Sequence, residues 1–279
     1  YTRGSQWAVL NARVLSTHPR GWPSDHAAVF TSLALTPSDR RVRKSLRVMS
    51  YNIHYGLGMD GKRDVERIAR VIRDEAPDLV GLQEIGNEAM AKKLGELTGM
   101  PVVFGPAKGS PDGYGDAVLS RYPFRWVGNH AIPSASSSRY QAMAIDVDVS
   151  AVAGEAAQLR FVNTHFDWLD TIGSRHARLA AVNLIEEAFC ATTDNPLVLA
   201  GDLNATPAAP PLRRLSAAGW TGAKVGAARF TIGSPTPDRQ IDYVLAKPGT
   251  EWQLGKTYVV DAPIASDHLP IVTILERAR

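Results

Sequence analysis

A short apolar run that leads into two polar residues is the feature that most constrains how this 279-residue chain folds. Residues 197–199 lie between Pro196 and Gly201, which predicts a buried strand with Asp202 and Asn204 at its exit. Alternating positions of an extended chain point the same way, so the two side chains are expected to share one face. A carboxylate beside a carboxamide at such a point can orient a water molecule and accept its proton.

The same arrangement recurs along the chain. Five further apolar runs each carry an acid, an amide or a histidine at one end: residues 46–54, 78–84, 159–165, 240–245 and 265–272. An unpaired carboxylate in a protein core costs several kcal/mol unless it is paired or bound to a metal. The recurrence therefore predicts one shared polar site at the ends of these strands.

The motifs, in this order, resemble those of the endonuclease/exonuclease/phosphatase superfamily of metal-dependent phosphoesterases. They are Ser50-Tyr51-Asn52-Ile53, Leu82-Gln83-Glu84, Thr164-His165, Gly201-Asp202-Leu203-Asn204, Ile241-Asp242-Tyr243 and Ser266-Asp267-His268. The resemblance extends over residues 46–275, nearly the whole chain. It implies an α/β, DNase I-like fold, a four-layer sandwich in which two packed, mixed and mostly antiparallel sheets are flanked by helices.

Local patterns agree with a mixed α/β architecture. Apolar residues on one face of 64–72 predict a helix that ends before Pro77, and Ser174 is a candidate N-cap for a second helix. Residues 115–120 and 142–147 are strand candidates, whereas the serine-rich stretch 134–138 has the composition of a loop. Several steps between strands are too short for a crossover helix, which favours mixed sheets packed face to face with helices outside.

The resemblance implies a divalent metal held by Glu84, Asn52 and Asp267. Glu84 is an acid at the end of an otherwise apolar strand, and Asp267 opens the approach to the last strand. Oxygen ligands of this kind suit Mg²⁺, with Mn²⁺ as the alternative. The chain has no Cys/His cluster with zinc spacing.

Five residues are the candidates for the chemical step. Asp202 orients and deprotonates the attacking water, and Asn204 holds the phosphate or the water in place. His268 pairs with Asp242, which favours its protonated form, and it either stabilises the transition state or serves as the base itself. The sequence leaves these two roles of His268 open. His165 is expected to donate a hydrogen bond to a phosphate oxygen.

Four residues are candidates for contact with the substrate. His54 lies two residues after Asn52 on the same predicted strand face, and Arg139 and Arg178 are cations that can grip a phosphate. Asp116 stands where the family often has Asn, which adds a negative charge near the substrate groove.

The N-terminal region differs from the rest in charge and organisation. We predict an N-terminal extension at 1–36, a linker at 37–45 and the phosphoesterase domain at 46–279. Residues 22–33 are similar to residues 264–275, which favours a remnant of a preceding related domain over chance similarity, and catalysis is not assigned to Asp25 or His26. The apolar side of residues 29–35 makes dimer formation through this segment an expectation.

Charge bears on the substrate. Residues 1–45 carry a net charge of +5 and the remainder −2, so the region with the motifs has no excess of the cations that a nucleic-acid backbone requires. We therefore expect a Mg²⁺-dependent hydrolase of phosphate mono- or diesters, leaning towards small-molecule or lipid-head-group substrates. The alternatives are a DNA or RNA nuclease or a DNA-repair phosphodiesterase of the same superfamily, and, less favoured, a catalytically silent binding module.

Composition says little about location. No apolar run approaches the length of a membrane span. The single Cys190 excludes an internal disulfide and is expected to be a buried, inert thiol. A soluble cytoplasmic protein and an exported one whose signal peptide has been removed both remain open.

Overall fold

The computed structural model of this protein describes residues 7–14, 29–35, 45–110, 113–222, 230–247, 249 and 251–278. The chain divides into two compact units, Tyr1–Arg43 and Lys44–Arg279. In the first unit, strands β1 (Trp7–Val14) and β2 (Val29–Leu35) pair antiparallel. The Asp25-His26 pair and residues 36–44 lie outside the described residues.

The second unit contains twelve strands among its described residues. These are β3 (Ser45–Asn52), β4 (Leu79–Ile85), β5 (Val102–Pro106), β6 (Gly115–Ser120), β7 (Phe124–Ile132), β8 (Tyr140–Asp148), β9 (Gln158–His165), β10 (Leu197–Asp202), β11 (Thr221–Gly222), β12 (Asp242–Lys247), β13 (Trp252–Val259) and β14 (Ile271–Arg277). The α-helices are α1 (Val65–Glu75), α2 (Glu88–Thr98), α3 (Ser150–Ala153), α4 (Ile172–Ile185) and α5 (Pro210–Ala217). The strand candidates at 115–120 and 142–147 correspond to β6 and β8.

The strands form two six-stranded sheets. One has the order β13-β14-β3-β4-β6-β5 and the other β11-β12-β10-β9-β8-β7. Each sheet contains one parallel pair, β3 with β4 and β9 with β10, and the other pairs are antiparallel. The prediction of mixed, mostly antiparallel sheets is therefore confirmed.

Three apolar clusters define four layers. Between the sheets, a buried cluster joins residues such as Val118 of one sheet to Phe161 and Val198 of the other. A second cluster packs α1 and α2 on the outer face of the first sheet, and a third packs α4 and α5 on the outer face of the second. Burial of two apolar faces by each sheet explains why most strands are nearly continuous hydrophobic runs.

The helix ends follow local chemistry. The Asp64 side chain accepts a hydrogen bond from the Arg67 N–H and caps α1, which ends with Ala76 in the left-handed region just before Pro77. The predicted N-cap of the second helix was wrong. Thr171, three residues earlier, caps α4 by accepting from the Ser174 N–H, and its hydroxyl donates to the Ser174 hydroxyl at 3.0 Å.

Two further features bear on the earlier expectations. Cys190 ends a π-helical turn (Glu186–Cys190) that continues α4, and burial raises the pKa of its thiol to about 12, so the thiolate is scarce at neutral pH. None of the helices in the described part of the chain is both long and apolar enough to cross a membrane.

Candidate active site

Strand register brings the first three site residues together. Parallel strands β9 and β10 end at the same edge of their sheet, and β12 begins there in the antiparallel direction. Asp202 is consequently in register with His165 on one side and Asp242 on the other. Side chains of paired residues lie on the same face, so three polar groups converge at one sheet end.

A β-bulge brings Glu84 from the opposite sheet. Val80 and Leu82 of β4 face the helix layer, and strict alternation would place Glu84 there as well. The β4–β6 pairing instead shifts register between Leu82 and Ile85, so Ile85 takes the core position. Glu84 adopts a positive φ of 58° and faces the cavity. Positive φ in a non-glycine residue is a strained conformation, typical of functional sites.

Asn52 connects the two sheets at the site. This residue ends β3, and its Nδ2 donates to Glu84 Oε1 and to Asp202 Oδ2, both at 3.1 Å. Its Oδ1 accepts from the His54 N–H at 3.1 Å. Asp267 is held close by, because the Ser266 hydroxyl donates to the Asn52 carbonyl oxygen.

Asp202 and His268 form the electrostatic centre of the site. His268 Nδ1 lies 2.9 Å from Asp242 Oδ2, and His268 Nε2 lies 3.6 Å from Asp202 Oδ2. Burial alone would lower the pKa of His268, but the carboxylates of Asp242 and Asp202 raise it to about 10, so the ring is an imidazolium at neutral pH. Burial and the charge of Asp242 raise the pKa of Asp202 above its usual range, while His268 opposes that shift.

His165 is neutral, and both of its ring nitrogens have partners. Burial and the positive charge of His268 lower its pKa to about 3. Its Nε2 lies 3.2 Å from Asn204 Nδ2, whose other hydrogen is donated to the Phe166 carbonyl oxygen at 2.9 Å. Nε2 is therefore the acceptor nitrogen, and Nδ1 carries the proton, which it can donate to the Tyr114 hydroxyl 3.0 Å away. In this tautomer the imidazole has no free N–H for a substrate.

These groups open into a cavity of about 520 Å³. Six of the residues predicted for the metal site or the chemical step line it directly, and they are Glu84, His165, Asp202, Asn204, Asp267 and His268. Arg139 also lines it, at the outer part. Asn52 and Asp242 stand behind the lining residues and act on them through the hydrogen bonds just described.

Several lining residues were missed by sequence reasoning. The aromatic residues Tyr55, Tyr114, Tyr140 and Trp168 and the cation Arg239 belong to this group. The Tyr140 ring packs edge-on against His165, with the ring centroids 4.9 Å apart. Tyr114, Tyr140 and Trp168 each lie within three residues of a residue or motif already singled out, so proximity to a strand end was the available signal.

At two predicted site residues, Asn204 and His54, the backbone is not the extended strand that the sequence predicted. Asn204 does not share a strand face with Asp202, because β10 ends at Asp202 and Asn204 has a φ of 45°. An Asx-type turn holds it instead, with the Asn204 N–H donating to Asp202 Oδ1 at 2.9 Å. His54 likewise lies in a 3₁₀ turn (His54–Gly56) with a φ of 46°, not on β3, and its Nδ1 is 3.6 Å from Asp267 Oδ1.

Arg178 and Asp116 lie outside the cavity lining. Arg178 is buried and donates to the carbonyl oxygens of Asp167 and Leu169 at 2.6 and 2.9 Å, so its guanidinium holds a loop. Asp116 is fully buried on β6, and neither of its carboxyl oxygens has a hydrogen-bond partner among the described residues. Burial, together with the charges of Glu84 and Asp202, raises its pKa well above the usual range.

Asp167 fixes the serine-rich loop that lines the cavity. Its Oδ2 accepts from the Ala135 and Ser136 N–H groups at 2.7 and 3.1 Å and from the Ser134 hydroxyl at 3.1 Å. Burial alone would raise the pKa of Asp167, but these hydrogen bonds lower it. The loop that precedes Arg139 is thereby tied to the loop that follows β9.

The donor set fits a hard divalent cation. Glu84 and Asp267 offer carboxylate oxygens, Asn52 offers an amide, and the charge of Asp267 adds to burial in raising the pKa of Glu84. The carboxyl of Asp116, which has no hydrogen-bond partner among the described residues, is held protonated by burial and adds no negative charge to this ligand set. A second group of possible ligands consists of Asp202, Asp242 and His268, each with one ligand atom within 4.8 Å of the others. In this group the protonated His268 ring already supplies the positive charge, because it is hydrogen-bonded to Asp242.

Sequence and structure comparisons agree on the relationship. The model of the Endonuclease/Exonuclease/phosphatase family matches residues 49–268, which is most of the chain and includes all six motifs. This chain belongs to the endonuclease/exonuclease/phosphatase family. As a member, it is a phosphoester-hydrolysing enzyme. Comparison with curated protein sequences gives no match.

Solved structures of the family share the fold. The endonuclease/exonuclease/phosphatase from Beutenbergia cavernae has 27% identity and a TM-score of 0.68, covering 85% of this chain and 72% of that one. The Bacteroides thetaiotaomicron mannosyl-6-phosphatase has 19% identity and a TM-score of 0.67, with coverage of 82% and 99%. The human nocturnin catalytic domain, with a bound sulfate anion, has 19% identity and a TM-score of 0.65, with coverage of 84% and 94%.

Proposed function

We propose that this enzyme hydrolyses a phosphate mono- or diester with Mg²⁺ by in-line attack of a water molecule. The observation that carries the proposal is the environment of Asp202. Its carboxylate lies between an imidazolium and a neutral histidine at the base of an open cavity, next to an oxygen-rich ligand set. A base whose pKa is raised towards neutrality can both hold a water molecule and take its proton near physiological pH.

The metal would be held by Glu84 and Asp267, with Asn52 as the amide ligand. When bound there, Mg²⁺ supplies charge stabilisation to the phosphoryl oxygens and lowers the negative charge that a water nucleophile must approach. Mn²⁺ has the same preference for oxygen ligands and is the alternative ion.

The protein side chains divide the remaining work. Asp202 orients and deprotonates the water, and Asn204, fixed by its turn, positions the water or phosphate. His268, protonated through Asp242, stabilises the charge that develops on the phosphoryl group, so the base is Asp202 and not His268. Arg139 and Arg239 at the outer cavity attract the anionic substrate.

Tyr114 takes the role that the sequence predicted for His165. Because the His165 N–H is directed at the Tyr114 hydroxyl, the hydroxyl hydrogen is left to bond a substrate phosphate. His165 thus acts through Tyr114 and Asn204 by positioning both. Arg178 is removed from the phosphate-binding set, because both of its described hydrogen bonds go to backbone carbonyls.

A small-molecule or lipid-head-group phosphoester remains the favoured substrate over a nucleic acid. The net charge of −2 over residues 46–279 shows no overall excess of the cations that a nucleic-acid backbone requires, and the cavity of about 520 Å³ is the size of a pocket for a small ligand. A nuclease is the second candidate, and the two arginines that line the cavity, Arg139 and Arg239, favour it.

The test is a metal-dependence assay on a panel of substrates. Purified protein is treated with chelator and then restored with Mg²⁺ or Mn²⁺, and turnover is measured on sugar phosphates, phospholipid head groups, single-stranded DNA and abasic-site DNA. We expect hydrolysis of a small phosphoester that disappears with chelator, returns with Mg²⁺ and is absent in Glu84→Gln. Full activity of the chelated protein or of Glu84→Gln would disprove the metal assignment. Turnover of DNA alone would favour the nuclease.

A further inference from the structure

Most of the exposed large apolar side chains belong to segments that also carry residues of the active-site cavity or contact such a segment. Among the described residues, six large hydrophobic side chains are exposed, and they are Met59, Trp126, Trp168, Ile172, Phe230 and Ile264. All but Trp126, which lies on β7, belong to loops or a helix start around the cavity. We refer to these five residues as the apolar rim.

Contacts and chain position place the rim at the cavity. Trp168 lines the cavity itself, and Ile172 begins α4 four residues later. Phe230 precedes the lining residue Ile232 by two positions, and Ile264 precedes the lining residue Asp267 by three. The Met59 N–H donates to the Ile264 carbonyl oxygen at 3.0 Å, so these two rim residues are neighbours.

The rim is unusually exposed for its composition. Ile172 is 72% exposed and Trp168 is 61% exposed, although each would gain from removal of its apolar surface from water. Single exposed hydrophobic residues are common on soluble proteins, whereas several on segments that share one cavity are the kind of surface that a ligand, a membrane or a partner covers.

Cations accompany the rim. Lys62 and Arg63 are exposed in the loop that carries Met59, and Arg139 is exposed in the serine-rich loop, where Ala135 lies against Gly173 beside Ile172. None of these three forms an ion pair with a described residue. The acids Asp60, Asp170 and Asp238 of the same loops are each paired with an arginine. Apolar groups interspersed with unpaired cations complement a lipid surface with anionic head groups.

We propose that the apolar rim docks the open end of the active site on an anionic lipid surface. The inference rests on the proposed function and narrows its substrate class to a phosphoester carried by an amphiphile at the lipid–water interface. A protein partner or a second copy seated on the rim would cover the cavity entrance, whereas a lipid surface delivers the substrate to it. Trp168 then contacts both the interface and the substrate.

Vesicle binding tests the proposal separately from catalysis. Binding is measured by co-sedimentation of the Asp202→Asn protein, which cannot consume the lipid, with vesicles of equal parts phosphatidylcholine and phosphatidylserine and with phosphatidylcholine vesicles. We compare it with Asp202→Asn carrying Ile172→Ser and Phe230→Ser, two rim residues outside the cavity lining. The matched control carries Trp126→Ser, an exposed aromatic residue away from the rim.

We expect stronger binding to the anionic vesicles, a loss of at least about tenfold in partitioning for the rim variant, and no change for the Trp126→Ser control. Absence of vesicle binding, or equal loss in the control, would overturn the proposal. So would a solution mass twice that of one chain that returns to one chain in the rim variant, because a second copy would then be the occupant.

Turnover of a soluble short-chain phosphoester by the unmodified enzyme distinguishes the proposed function from the docking inference. Hydrolysis without vesicle binding leaves the proposed function standing and removes the docking inference. Vesicle binding that depends on the rim, without hydrolysis of any phosphoester, would support the docking inference and contradict the proposed function.

Discussion

At the scale of single residues, the site depends on how each carboxylate is compensated. Asp202 lies near His268 and Asn52 and accepts the Asn204 N–H. Among the described residues, the Glu84 carboxylate accepts a hydrogen bond from the Asn52 side chain, and the Asp116 carboxyl has no partner. Glu84, the acid with few hydrogen-bond partners, is a proposed metal ligand. Asp202, whose charge is balanced by its neighbours, is the acid proposed to bind and deprotonate the water.

Asp202→Asn tests the general base. The amide is isosteric but cannot take a proton, so we expect kcat to fall by about 10²–10⁴-fold while the melting temperature stays at or above that of the parent. Steady-state kinetics and thermal unfolding are measured on the same preparation. Near-normal kcat would transfer the base role to His268.

Tyr114→Phe tests the role proposed for the tyrosine hydroxyl. Loss of one hydrogen bond to the phosphate should lower kcat/KM by about tenfold, with little effect on stability because the ring remains. Tyr122→Phe, which alters a hydroxyl remote from the cavity, is the matched control. If the two variants had the same kcat/KM, the direct donor would have to be His165.

His268 makes stability depend on pH. Its pKa in the folded protein is about 10, above the ordinary 6.5, so its contribution is complete below about pH 6.5 and is lost as the pH rises towards 10. We expect the free energy of unfolding in chelator to fall across this window by at most about 1.4 kcal/mol per pH unit. Urea titrations from pH 6 to 10 measure it.

The control for this pH dependence is a second histidine. His268→Gln should flatten the curve, whereas His130→Gln, at an exposed histidine on β7, should leave it unchanged. A curve that remains steep in His268→Gln would assign the pH dependence to other groups.

At the scale of elements, irregular backbone positions bring several of the functional groups to the cavity. The β4 bulge turns Glu84 inward, and a turn with positive φ holds Asn204. Regular strands supply His165, Asp202 and Asp242 through register alone. The site therefore combines three residues that regular strand pairing places side by side on one sheet with Glu84, in a strained conformation, on the other.

Glu84→Gly and Glu84→Ala separate strain from chemistry. Both remove the proposed metal ligand and should abolish metal-dependent turnover. Because φ is 58° there, the glycine variant should be more stable than the alanine variant by about 1 kcal/mol. Denaturant unfolding of the two proteins gives the difference. Equal stability would mean that the bulge relaxes when the carboxylate is absent.

At the scale of the whole molecule, charge is divided between the two units. The unit Tyr1–Arg43 carries a net charge of +4 and the unit Lys44–Arg279 carries −1, although the protein as a whole is basic. Any affinity for DNA should therefore reside in the N-terminal region rather than in the catalytic unit.

DNA affinity as a function of salt concentration tests this division. We expect weak, salt-sensitive binding by the full chain and a much smaller salt slope for a chain that begins at Lys44, where the second compact unit starts. A steep slope retained by the shorter chain would reveal a phosphate-binding groove in the catalytic unit and would move the nuclease ahead of the small phosphoester. Measuring the mass of both chains also tests the expected dimer through the N-terminal segment.

The sequence by itself determined the fold class and the family. Alternation and apolar runs predict strands because burial on a sheet has a period of two, and acids at the ends of such runs are expensive unless they share a site. Those patterns are local, so residues such as Asp202, Asp242 and His268 were visible as candidates before any contact was known.

The tertiary structure decided what each candidate touches. The hydrogen bonds of His165 with Tyr114 and Asn204 and those of Arg178 with backbone carbonyls join residues from 9 to 51 positions apart along the chain. The neutrality of His165 depends on burial and on the charge of His268, which is still further away in the sequence. The inward turn of Glu84 depends on a register shift against β6, which no periodic pattern encodes. A hydrogen bond or a pKa is a property of neighbours in space, so only the packed chain could assign it.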